Sequence, residues 1–67
     1  MTDFKTQMIE DFIPRIKEMI RKEEVHLDML KKAQKTDFVE KAIATSTSML
    51  EHFKTRLYEY QQYANKL

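Results

Sequence analysis

Apolar residues recur at intervals of three and four along most of this chain, the spacing that one face of an α-helix requires. In the first arm they are Phe4, Met8, Ile9, Phe12, Ile13, Ile16, Met19, Ile20, Leu27, Leu30 and Ala33, a stripe that is wide before Ile20 and thin after it. The second arm carries Val39, Ile43, Ser46, Leu50, Phe53, Leu57, Tyr60, Ala64 and Leu67 on one face, flanked by Phe38, Ala42, Met49 and Tyr63. Between Leu30 and Val39 the stripe changes phase, and there Lys31, Lys32 and Lys35 precede an acidic pair, Asp37 and Glu40. Lysines suit the negative end of a helix dipole. Asp37 reads as the N-cap of a new helix, accepting from the Glu40 N–H while Glu40 reaches back to the Asp37 N–H.

The pattern therefore predicts an all-α fold, an antiparallel helical hairpin in one domain over residues 1–67. Arm one covers about residues 3–34, the turn about 35–37 and arm two about 38–66. One continuous helix over residues 15–67 is the rival; the phase change and the stop-and-restart signals weigh against it. Pro14 interrupts the first arm, since it has no N–H for the Glu10 carbonyl and its ring crowds that turn. Either Asp11 caps a new helix, leaving a short extra N-terminal helix before Pro14, or one long helix kinks there; the break is the preferred reading. Arms of about 40–45 Å at ~1.5 Å per residue make a slender hairpin with an open apolar side. Two such hairpins packed together make a four-helix bundle, the assembly expected here.

Composition narrows the chemistry. A chain of 67 residues buries little apolar surface, and with no Cys it has neither a disulfide nor a thiolate metal site to compensate. Self-association or docking on another protein is the remaining route to a full core. Glycine is absent, which removes Gly-rich phosphate loops and nucleophile elbows. A formal net charge of +1 disfavours bulk nucleic acid or an anionic membrane as partner. No apolar run approaches the ~20 residues of a membrane span, and Met1-Thr2-Asp3-Phe4 lacks signal-peptide character, so a soluble, cytoplasmic protein is expected.

Glu23-Glu24-Val25-His26 interrupts the first stripe, and folding about residues 35–36 brings Glu23 and His26 level with Ser46 and its hydroxyl neighbours. The preferred reading is a polar layer of Glu23, His26 and Ser46 that sets register and partner number. Glu23-x-x-His26 resembles the ligand pair of ferritin-like di-iron bundles, which implies a metal site with a carboxylate from another helix. Glu51 is the nearby candidate, although it lies beside the second stripe and about a turn from the expected level. The structural reading is preferred, and no metal or cofactor is expected. His52, Ser46 and Ser48 have no base, elbow or ordered loop beside them, so no enzyme activity is expected.

Lys31, Lys32, Lys35 and Lys41 form the densest positive cluster, diluted by Asp28, Asp37 and Glu40 and with no aromatic interleaved for base stacking. A solvated helix end explains them better than nucleic-acid binding, although small RNA-binding hairpin dimers are similar in architecture. At the far end, Phe4, Met8, Ile9, Phe12 and Ile13 face Leu57, Tyr58, Tyr60, Tyr63 and Leu67, the most apolar part of the molecule. Ile16, Ile20, Leu50, Phe53 and Leu57 are assigned to the seam between arms, and Met8, Phe12, Tyr60 and Tyr63 to a surface offered to a partner. The function expected is non-catalytic: an adaptor, inhibitor or small co-chaperone that presents an amphipathic helical face to another protein, to itself, or to both.

Overall fold

The computed structural model describes residues 3–66. Helix α1 (Phe4–Gln7) passes through a π-helical turn (Met8–Phe12) into α2 (Ile13–Lys32), and α3 (Asp37–Lys66) returns alongside. The described chain is all-helical. The hairpin measures 50 × 16 × 14 Å, so its arms are long and its core is a single seam.

Asp3 starts the first arm by N-capping α1, its Oδ1 accepting from the Thr6 N–H at 2.7 Å. These hydrogen bonds from Thr6 hold the Asp3 carboxyl below its ordinary range. The expected break at Pro14 does not occur. Backbone dihedrals stay right-handed helical at Gln7, Met8, Phe12 and Ile13, so no separate helix stands before the proline. Asp11 caps nothing and instead accepts from Arg15 Nη2 at 2.7 Å. The chain accommodates Pro14 by widening the preceding turn: the Ile13 N–H donates to the Met8 carbonyl, five residues back. A wider turn relieves the crowding that the proline ring imposes on the Glu10 carbonyl. It also resets the stripe. Met8 and Ile13, five apart and on different faces of a regular α-helix, both become buried.

The link between arms comprises residues 33–36, and α3 begins at Asp37, one residue earlier than the pattern predicts. Its cap is Thr36 and not Asp37. Thr36 Oγ1 accepts from the Val39 N–H at 3.2 Å, and the Glu40 N–H is taken by the Thr36 carbonyl at 2.9 Å. Asp37 sits inside the first turn, where its charge complements the helix dipole. Ala33 ends α2 in an extended conformation, and no described residue has positive φ, which is how a chain without glycine turns here.

Packing of α2 and the π-helical turn against α3 buries Met8, Ile13, Ile20, Leu50 and Ala64 together with Ser46. Ile16, Phe53 and Leu57 complete the seam at intermediate exposure. No helix among the described residues is long and apolar enough to cross a membrane.

Candidate functional site

The two sides of the hairpin differ in chemistry. One side is a groove that runs the length of the molecule between α2 and α3. Near the turn its walls include Phe38, Ala42 and Met49 opposite Glu23 and His26. Midway they are Ile16 and Met19 opposite His52, Phe53 and Arg56. At the open end the groove is closed by Phe4, Met8, Glu59, Tyr60 and Tyr63. The reverse side carries Glu24, Asp28, Lys31 and Lys54 around Leu27 and Leu50. Of the large apolar residues left exposed, Phe4, Met19, Phe38, Met49 and Tyr63 line the groove, while Ile9, Val25, Met29 and Tyr58 stand elsewhere.

Helical spacing produces this asymmetry. On α3, Phe38, Met49 and Tyr63 lie to one side of the buried line through Ser46, Leu50 and Ala64, which makes the stripe too wide for one neighbouring helix to cover. On α2, Ile16, Met19 and Glu23 widen the stripe toward the same side.

The aromatic end is built edge to face. Phe4 meets Phe12 at 6.2 Å and Tyr63 at 5.7 Å between ring centroids, both nearly perpendicular, and Phe12 lies 6.3 Å from Tyr60. Arg56 lies over the Tyr60 ring at 5.9 Å. Burial places Met8 in the hairpin's own packing, while Phe12 keeps a face on the groove beside Arg15, Ile16 and Tyr60. Met8, at 1% exposure, is among the most buried side chains of the hairpin, and Phe12 is half-covered by its aromatic neighbours. Tyr63 remains 46% exposed and Tyr60 intermediate, while Leu67 lies outside the described residues.

Glu23 and Ser46 meet across the seam. The Ser46 hydroxyl, itself buried, donates to Glu23 Oε1 at 2.6 Å. His26 stands at the rim, its Nδ1 3.5 Å from the same oxygen and its side chain 56% exposed, so it edges the layer and does not fill it. Ser46 first, and then His26, hold the Glu23 carboxyl below the ordinary glutamate range. A lowered folded value contributes stability above the ordinary glutamate pKa of about 4.3, lost as pH falls through the folded value. Thermal melts followed by circular dichroism should therefore show wild type losing stability below about pH 4 more steeply than Glu23→Gln. Equal acid slopes would remove Glu23 from the acid response.

Glu51 is exposed, and no three of His, Cys, Asp and Glu among the described residues gather as a group able to hold a metal ion. One hairpin thus does not assemble Glu23, His26 and Glu51 into a metal site. Lys32 is paired with Asp28 at 3.0 Å, while Lys31, Lys35 and Lys41 extend into solvent. Phe38 is 78% exposed between Lys35 and Lys41, so an aromatic does interleave with the basic cluster. Its position just inside the first turn of α3, one residue before the stripe at Val39, was the available signal. No family model, curated protein or solved structure matches this chain.

Proposed function

We propose that this chain acts without catalysis, as a cytoplasmic protein-interaction module of the adaptor, inhibitor or small co-chaperone kind. The groove is its working surface, and helices laid into that groove complete a four-helix bundle. One observation carries the reading: Phe4, Met19, Phe38, Met49 and Tyr63 stay exposed along one groove, while only five apolar side chains among the described residues are buried. A hairpin with so small a core gains from covering that surface. Another copy of the chain is one occupant, and a helical segment of a different protein is the other.

The test is the mass in solution across concentration, measured for wild type and for Met49→Glu with helicity recorded in parallel. Met49 is exposed in the hairpin, so the variant should keep its helical signal while losing association. Unchanged association would place the contact surface elsewhere. A second reading, a nucleic-acid-binding regulator, has Phe38 between Lys35 and Lys41 in its favour. The +1 net charge and the Lys32–Asp28 pair weigh against it. Co-purifying absorbance at 260 nm with steeply salt-dependent binding would favour this second reading over ours.

A further inference from the structure

We propose that the groove takes a second copy of this chain, end over end, about a two-fold axis level with Leu50 and Glu51. This rests on the reading above and adds to it the occupant, the orientation and the residues that choose them.

The groove's chemistry differs between its two ends in a self-complementary way. Near the turn stand the projecting ring of Phe38 and the cation Lys41, while at the open end lie an aromatic-lined hollow of Phe4, Tyr60 and Tyr63 and the anion Glu59. Lys41, Arg56 and Glu59 form no ion pair among the described residues. A two-fold axis across the groove lays α3 of one copy against α3 of the other, running oppositely. The position of that axis is overdetermined. Pairing Phe38 with Tyr63 places it between Leu50 and Glu51, pairing Lys41 with Glu59 places it at Leu50, and bringing Arg56 to the Ser46 level, where Glu23 lies, places it at Glu51. These three placements agree within one residue, about 1.5 Å of helix rise. The same axis passes near the middle of α3, so the two hairpins overlap along nearly their whole length, and it brings Met19 of each copy close to its own equivalent.

Packing the hairpins in parallel, with the axis along their length, separates these partners. Lys41 and Glu59 then stay about 27 Å apart along the bundle at ~1.5 Å per residue. Arg56 instead meets the level of Arg15, since both line the groove beside Ile16 and Tyr60. Like charges meet there, and they oppose that arrangement. The size is also right for a second copy: a face of 50 by 16 Å presents on the order of 800 Å² per copy, that of a standard stable interface.

The experiment combines a charge exchange with a distance. Lys41→Glu and Glu59→Lys should each weaken dimerisation about tenfold or more by placing like charges together twice per dimer, and the double variant should return close to wild-type affinity. A spin label on Gln34→Cys, in the exposed link between arms, should report a separation of roughly 45 Å across the dimer, against less than about 20 Å for parallel packing. A dimer with the short separation, or a double variant as weak as the singles, would overturn the orientation and leave the interaction reading intact. A wild-type chain that remains monomeric throughout the concentration series would overturn self-docking itself. The loss of capture by Met49→Glu, tried on any heterologous partner, then decides separately whether the groove works at all.

Discussion

Leu50→Ala is expected to unfold the isolated hairpin at micromolar concentration, with most of its helical circular dichroism lost at 25 °C. Leu50 is one of five buried apolar side chains among the described residues and stands midway along the seam, four residues from the buried Ser46. Truncating a buried leucine costs about 2–5 kcal/mol, depending on how well the site collapses. A single core of this size supplies at most about 3–5 kcal/mol in total, so the change removes most of what holds the arms together. Association acts in the other direction, since binding between folded copies stabilises the folded state by mass action, and the variant's helicity should recover as its concentration rises. Phe38→Ala is the control. Phe38 is larger than Leu50 but 78% exposed, so its loss should leave the melt of the dilute hairpin nearly unchanged while weakening association. A Leu50→Ala melt indistinguishable from wild type would mean that the seam is not the source of stability.

Much of this architecture was legible in the residues because two signals agreed at each point. The change of stripe phase between Leu30 and Val39 coincided with basic residues ending one helix and acidic residues starting the next, and a short link does separate helices there. The particular cap was misread. Both Thr36 and Asp37 have a side-chain oxygen able to cap, and which one does so depends on where the extended backbone after Ala33 turns helical, a choice the pattern does not encode. The level pairing of Glu23 with Ser46 followed from counting residues on either side of the turn. His26 was harder to place: three residues from Glu23 puts it on the same general face but nearer the rim, and burial on a helix shared by one neighbour falls off within that angle. At the open end both stripes are too wide for one neighbouring helix to cover, which is what points Met8 and Phe12 toward a partner. Only the widened turn before Pro14 brings Met8 to the same face as Ile13, and no residue pattern announces a π turn.

That turn makes the second large prediction. Deleting Glu10, an exposed residue within Met8–Phe12, should destabilise the hairpin about as much as Met8→Ala, roughly 2–5 kcal/mol, although it removes no buried group itself. With one residue fewer, the turn has two options. If it closes as a regular α-turn, the ring of Pro14 meets the carbonyl four residues before it. Met8 and Ile13, now four apart, keep nearly the same face of a regular helix, so this option costs the proline clash alone, about 3 kcal/mol. If the wide turn survives, its first residue becomes Gln7, and a polar amide takes the buried place of Met8. Either way the junction is destabilised, by the proline ring in the first case and by a buried amide in the second. Pro14→Ala should be nearly neutral by comparison, since burial of Met8 and Ile13 continues to favour the wide turn after the ring is gone. Thermal melts of the deletion, Met8→Ala and Pro14→Ala, compared at one concentration, test the whole scheme. A deletion as stable as wild type would show that a regular turn before Pro14 carries no penalty, and a strongly destabilised Pro14→Ala would mean that the proline, more than the packing, holds the turn open.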